Sequence, residues 1–335
     1  MTAPAATAPS ASGDIDRLSS SVADRLSEVN ALILEHAGSD VAMIPAIADH
    51  LISSGGKRIR PMLTLGTAKL FGYEGDGDVK LATAVEYMHT ATLLHDDVVD
   101  ESAMRRGRPA ARMIWGNQAS VLVGDFLLGQ AFKLMVAVGS LEALDVFSRA
   151  AATISEGEVR QLAGAKNLSV GEAHYMAVID AKTAALFAAA TAAGPILAGA
   201  SAYRPSLESF GRHLGLAFQL IDDVLDFEGD AGALGKNVGD DLREGKATLP
   251  VLLAYARGDA ADRAFWERCI ERGDVEDGDV PTAVVLVRST GALDEARRRA
   301  RGFADRALQD LSRAPACHMR DIIADVVGFA VSRLH

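Results

Sequence analysis

The sequence predicts an all-α fold, and three observations carry that reading. Past residue 13, apolar residues recur at spacings of three, four and seven nearly throughout, the pattern of helices that bury one face. Strict apolar/polar alternation, which marks strands, is scarce. Aromatics are only 5% of the chain while alanine-rich runs such as 184–193 are common, and small side chains suit closely packed helices.

The elements follow in chain order. Residues 1–13 are small and polar, with scattered prolines and no Lys or Arg. They have neither the basic start nor the apolar core of a signal peptide, so a disordered tail is expected. Helices are expected near 15–37, 41–53, 61–71, 78–101, 118–139, 141–163, 171–201, 206–228, 246–257, 260–272, 279–288, 290–312 and 317–334. Gly, Pro and Asp clusters separate them, as at 72–78 and 229–239. No linker is long or biased enough to divide the chain, so residues 14–335 predict one all-helical domain. The uncharged stretch between Lys182 and Arg204 is the one that resembles a membrane span. Its Ala/Thr composition and central Gly194-Pro195 give poor transfer energy, which predicts a buried core helix and a protein that does not span a membrane.

Composition narrows the function. Of 335 residues 49% are hydrophobic and 24% charged, enough apolar material for a large core. Thirty-four basic against 45 acidic residues give a net charge of −11, which argues against a nucleic-acid partner while leaving room for a local basic pocket. Two cysteines, Cys269 and Cys317, make neither a disulfide framework nor a cysteine zinc site, and point to a reducing cytoplasm.

One acidic pentad occurs twice, as Asp96-Asp97-Val98-Val99-Asp100 and Asp222-Asp223-Val224-Leu225-Asp226, each closing an apolar helical stretch. On a helix, residues i and i+4 share a face, so Asp96 lies beside Asp100 and Asp222 beside Asp226. Asp97 and Asp223 flank them. Three carboxylates in one turn repel unless a cation neutralises them, and oxygen donors select hard ions; Mg²⁺ takes one or two carboxylates plus substrate phosphates. A solvated acidic face explains one pentad but poorly explains two. A calcium-sensor loop lacks its alternating ligands and its twelfth-position Glu.

Dense positive charge in an acidic chain is informative. Gly55-Gly56-Lys57-Arg58-Ile59-Arg60-Pro61 sets three cations in a glycine-led loop, with Pro61 suited to the first position of the next helix. Helix N–H groups there, with Lys57 and Arg60, favour an anion. Arg105-Arg106-Gly107-Arg108-Pro109 follows the first pentad, and Lys182, Lys236 and Lys246 lie in or near apolar or acidic stretches. His89 precedes Asp96 by nearly two turns, on the same face. Singly each has an ordinary structural explanation; together they suit a diphosphate held by magnesium.

These residues resemble the trans-isoprenyl diphosphate synthase family. The matching pieces are Gly55 to Pro61, His89 to Asp100, Arg105 to Pro109, Lys182-Thr183, Phe218 to Asp226, Gly235 to Asp241 and Gly245 to Pro250, in family order. The resemblance implies a large helical bundle around a deep central cavity, a homodimer, and condensation of isopentenyl diphosphate onto an allylic diphosphate. It implies that Asp96, Asp97, Asp100, Asp222, Asp223 and Asp226 hold about two or three Mg²⁺ ions on the allylic diphosphate. Arg105, Lys182 and Lys236 would grip that leaving group, with Thr183 and Gln219 nearby. Lys57, Arg60, His89 and Arg106 would bind isopentenyl diphosphate, and Lys246 and Asp240 are further assignments. No enzyme nucleophile is needed, because ionisation is driven by stabilising the departing diphosphate.

Product length is read from the turns before the first pentad. Within the family, a bulky aromatic four or five residues before the first Asp resembles a floor that stops growth. Here those places hold Thr92 and Ala91, with Met88, Val85 and Ala84 on the next turns. A deeper path is expected, bounded by Phe126, Phe132 or Met135 on the neighbouring helix. One helical turn rises about 5.4 Å, roughly one isoprenoid unit, and the expected product is all-trans and about eight to ten units long, as in ubiquinone side chains. The alternatives are a shorter-chain geranylgeranyl- or farnesyl-type synthase, a terpene cyclase, and a non-catalytic subunit that only binds prenyl diphosphates. Asp222 to Asp226 departs from the Asn/Ser/Thr and Glu mixture of a cyclase's second motif, and intact pentads argue against the last.

Overall fold

The computed structural model describes residues 11–53, 55–228 and 239–332. Its helices are α1 (Ala11–Ser21), α2 (Ala23–His36), α3 (Met43–Ser53), α4 (Ile59–Leu70), α5 (Gly77–Val99), α6 (Ala111–Trp115), α7 (Asn117–Val138), α8 (Leu141–Gly164), α9 (Gly171–Ile179) and α10 (Ala185–Leu197). They continue as α11 (Arg204–Glu228), α12 (Asp240–Arg243), α13 (Leu249–Arg257), α14 (Ala260–Trp266), α15 (Asp279–Ser289), α16 (Ala292–Leu311) and α17 (His318–Ser332). The all-α expectation is met.

Boundaries depart from periodicity where local geometry intervenes. Helix α1 begins at Ala11, inside the stretch expected to be a tail, and residues 1–10 lie outside the described residues. The helix expected over 15–37 breaks at Val22, whose φ of −121° is not helical. Helix α4 starts at Ile59, so Pro61 occupies its third position, where the missing N–H is still one of the unpaired donors. The helix expected from 246 starts at Leu249. The run 171–197 carries a π-turn at Asp180–Ala184, and α14 ends in another at Glu267–Glu271. Arg105 to Pro109, assigned no structure from sequence, forms a hairpin of β1 (Met104–Arg105) and β2 (Arg108–Pro109). Its two turn residues, Arg106 and Gly107, both have positive φ (52° and 74°), as a tight two-residue hairpin requires.

The main apolar core runs through α2, α4, α5, α7, α8, α10, α11 and α17, with Phe147, Phe187 and Phe210 fully buried. A second cluster, around Trp266 and Phe227, joins the end of α11 to α13, α15 and α16. Phe303 and Val331 pack against both. Helix α10 packs against α4, α5 and α11, and small residues make this closeness possible. A Cβ on Gly211 would lie 2.4 Å from the Phe187 carbonyl oxygen, so only glycine fits there.

Among the described residues, two helical runs are long and apolar enough to cross a membrane. In Leu168–Leu197, 72% of the apolar window is buried, as expected for a core helix. Asn117–Val138, which the sequence reading overlooked, is only 33% buried. Its outer face carries exposed Leu122 and Val136.

Candidate functional site

Each pentad ends a long helix. Asp96 and Asp97 lie in the last turn of α5, with Asp100 as its C-cap; Asp222, Asp223 and Asp226 lie in the last two turns of α11. In both pentads the second aspartate turns inward: Asp97 is fully buried and Asp223 is 4% exposed. The others are half-buried.

The carboxylates of the first pentad meet cations from three separate elements. Arg105, on β1, donates from Nε to Asp97 Oδ1 at 2.8 Å and also from Nη2. Lys246, just before α13, donates to Asp100 Oδ2 at 2.9 Å. Lys182, in the first π-turn, lies 3.8 Å from Asp96 and 2.6 Å from Glu158 Oε2 of α8. The π-turn is fixed from outside by Arg212, which grips the Asp180 carboxylate. Gly157 lets α8 come close, since a Cβ there would lie 2.6 Å from that of Ala181 and 3.2 Å from Lys182 Cγ. A π-turn at a site of this kind re-aims one side chain without ending the helix.

Asp223 of the second pentad is held by neutral donors. Tyr175 of α9 donates its hydroxyl to Asp223 Oδ2, and Gln219 donates to Oδ1 at 2.8 Å. Thr183, beside Lys182, donates to Gln219 at 2.8 Å. The Asp241 N–H of α12 donates to Asp226 Oδ2 at 3.3 Å.

Lys246 joins the halves. Burial opposes its charge, but Asp241, Asp100 and Glu244 outweigh burial and hold its pKa above the usual lysine value. Burial raises Asp97, with Arg105 opposing. Burial, then Asp241, pushes Asp223 up to about 8, against the bonds from Tyr175 and Gln219. Burial and Asp96 push Glu158 up to about 7, with Lys182 opposing.

A basic region adjoins this acidic one. Lys57 Nζ stands 4.3 Å from the Phe329 ring centre, and the Arg60 guanidinium 4.4 Å from that of Phe187. Burial lowers Arg60 to about 10 although Glu86 and Asp222 attract it, and its Nε is buried without a partner. Arg106 donates to the Gly55 carbonyl, tying the hairpin to the glycine-led loop. His89 is held well below the usual histidine value by burial, then by Arg60, Arg106, Arg105 and Arg58.

The structure places the residues singled out from sequence in these two regions, apart from Asp240, which pairs with Arg243 at 3.1 Å, and three groups. Lys236 lies outside the described residues. Asp97 and Asp223, expected to face a metal with the other four, are instead turned into the protein, and Arg105, expected to grip a leaving group, is committed to Asp97. Of the residues placed along a growing chain, Met88 and Ala91 are buried in the main core, while Thr92, Phe126 and Phe132 are half-buried. Both phenylalanines pack against that core. Sequence reasoning missed Glu158, Tyr175 and Glu86, and it quoted Arg58 and Asp241 within motifs without giving them a role. The acidic Glu156-Gly157-Glu158 run within an apolar helix was a signal for the first; Tyr175 gave none.

Oxygen donors on two facing helices fit hard cations. Among the described residues no three acidic, histidine or cysteine side chains converge on one point; Mg²⁺ typically takes one or two carboxylates plus substrate phosphates. The buried, unpartnered Asp97 Oδ2 shows one carboxylate atom still unsatisfied.

Comparison with known proteins shows the family. A family model described as polyprenyl synthetase matches residues 41–287. The octaprenyl diphosphate synthase of Escherichia coli (strain K12) is 44% identical over 321 residues, covering 96% of this chain and 99% of that protein. A crystal structure of polyprenyl synthase from Caulobacter crescentus CB15, complexed with calcium and isoprenyl diphosphate, is 49% identical. It superposes with a TM-score of 0.93, over 96% of this chain and 98% of its own. The crystal structure of a decaprenyl diphosphate synthase from Rhodobacter capsulatus has a TM-score of 0.91 at 48% identity, covering 96% and 99%.

Proposed function

The chain belongs to the polyprenyl synthetase family, and from that premise we propose that it is a prenyltransferase adding isopentenyl diphosphate successively to an allylic diphosphate. The product is a long-chain all-trans-polyprenyl diphosphate of about eight to ten units, suited to quinone side chains, and farnesyl or geranylgeranyl diphosphate is the primer. The observation that carries this reading is Lys246, 2.9 Å from Asp100 of one pentad and attracted by Asp241, which is bonded to Asp226 of the other.

Asp96, Asp100, Asp222 and Asp226 are the carboxylates placed to hold Mg²⁺, and Asp97 and Asp223 brace them from behind. When bound, the metal neutralises the departing diphosphate as a Lewis acid. Lys182 sits beside Asp96 and adds a fixed positive charge to that leaving group, held in aim by Glu158. Arg105 pairs with Asp97 behind the same turn. Lys57, Arg60 and Arg106 bind isopentenyl diphosphate, and neutral His89 offers a hydrogen bond without adding charge. The Phe187 ring under Arg60 and the apolar turns of α5 keep water from the allylic cation. Lys246 orients Asp100, and Lys236 is a further candidate for the leaving group.

The chain grows from the first pentad between α5 and α7. Ala91 and Thr92 form no floor, and the half-buried Phe126 and Phe132 bound the deeper path. We place the protein in the cytoplasm as a homodimer. Leu122, Gly129 and Val136, seven residues apart on α7, and Val159 and Leu162 on α8 form an exposed face of small and apolar residues for the second copy. Light scattering at twice the chain mass is expected, and a monomer would contradict this.

The reading is tested by incubating purified protein with labelled isopentenyl diphosphate, farnesyl diphosphate and Mg²⁺ and measuring product mass. A long-chain product is expected, and Ala91→Phe should shorten it with turnover largely intact. Hydrocarbon from the allylic diphosphate alone, or no incorporation, would overturn the assignment.

A further inference from the structure

We propose that Glu86 is a positioning residue for isopentenyl diphosphate, locking Arg58 and thereby the orientation of Lys57, Arg60 and Arg106. The inference rests on the reading of those three cations as that substrate's site.

Arg58 is the N-cap of α4 and has φ 50°, ψ 33°, a left-handed conformation that residues other than glycine rarely adopt. Such a backbone persists only where the surroundings over-determine it. Here the guanidinium supplies the constraint. Its Nη1 pairs with Glu86 Oε1, and Nη2 donates to the Ile52 carbonyl of α3 at 3.3 Å. The two side chains are 13% and 7% exposed, so the pair is not a solvated surface contact. It joins three elements: the end of α3, the start of α4 and the middle of α5.

Everything assigned to the isopentenyl site hangs from this joint. Lys57 is the preceding residue and Arg60 lies one residue beyond Ile59. Arg106 bonds the Gly55 carbonyl of the same loop, and His89 lies one turn along α5 from Glu86. The guanidinium groups repel one another, and Glu86 attracts both Arg60 and Arg106. One buried carboxylate therefore anchors the loop and offsets the repulsion among the groups it presents.

Removing Glu86 has two opposed consequences. A more positive site would attract a diphosphate more strongly. An unanchored left-handed turn would let the donors drift, and a displacement of about 1 Å costs on the order of a hundredfold. Glu86 pairs with Arg58, and the loss of alignment should dominate.

The test is steady-state kinetics on the full chain, varying each substrate in turn. Glu86→Gln should raise KM for isopentenyl diphosphate by on the order of tenfold or more, with KM for the allylic diphosphate changed less than about twofold. Glu86→Asp should restore part of the loss. Because Glu86→Gln leaves Arg58 buried and unpaired, the double variant Glu86→Gln/Arg58→Met is measured too. It removes both charges, should stay folded, and should show the same rise. Lys57→Ala is run alongside. If it raises the isopentenyl KM while the Glu86 variants leave it unchanged or lower it, the positioning role is overturned and the site stands. If Lys57→Ala has no effect, the site assignment fails and the inference with it.

Discussion

Asp97 and Asp223 occupy the same place in two identical opening motifs, yet their surroundings differ in kind. Both are buried; Asp97 is met by the Arg105 guanidinium, whereas Asp223 is met by a phenol and an amide. A cation cancels the carboxylate's charge and leaves the first pentad braced by ion pairs. The neutral donors at Asp223 offer no such compensation, so burial drives Asp223 to about 8 while Asp97, also raised, is restrained by Arg105. A repeated sequence therefore does not make a repeated site: the partners, which come from elsewhere in the chain, decide what each carboxylate can do.

The largest effect should come from the outward-facing residues, where the two halves are alike. Asp96→Ala and Asp222→Ala should each lower turnover by on the order of a hundredfold to a thousandfold or more, with circular dichroism unchanged. Wild-type-like turnover in either would remove that pentad from the site. The inward-facing residues should separate the halves. Arg105→Leu leaves the Asp97 charge buried and uncompensated and should cost about 3 kcal/mol of stability. Tyr175→Phe removes one neutral donor while Gln219 remains, and should cost about 1 kcal/mol. Equal losses in urea unfolding would erase the distinction. Acidity sharpens it last. A carboxyl raised in the folded state binds its proton there while the unfolded chain, with pKa 3.8, has released it. Its contribution is therefore present below about pH 4 and lost as pH rises toward 8, by at most about 1.4 kcal/mol per pH unit. In metal-free protein Asp223→Asn should flatten that decline more than Asp97→Asn does; the reverse order would contradict the contrast.

These distinctions mark the limit of what the sequence makes legible. Helices announce themselves through apolar spacing, because their faces are local, and Leu141–Gly164 and Asp279–Ser289 fall within a residue of expectation. The π-turn at Asp180–Ala184 does not, because Arg212 grips Asp180 from 32 residues away. The hairpin was hidden because a tight turn with Arg106 at positive φ carries no periodicity. In the site, the pentads and basic motifs were legible as clusters of charge. Their pairings were not: Tyr175 lies 48 residues from Asp223 and Lys246 lies 146 from Asp100. Helix α7 was missed as an apolar surface because an outward-facing apolar residue reads in sequence like an inward-facing one.

The most direct measurement is a crystal structure with Mg²⁺ and a non-hydrolysable allylic thiodiphosphate. The account predicts ions shared between that one diphosphate and Asp96, Asp100, Asp222 and Asp226, with Asp97 still on Arg105 and Asp223 still on Tyr175. Ions gathered by one pentad alone, or the two sets of outward carboxylates turned away from a common ligand, would contradict it.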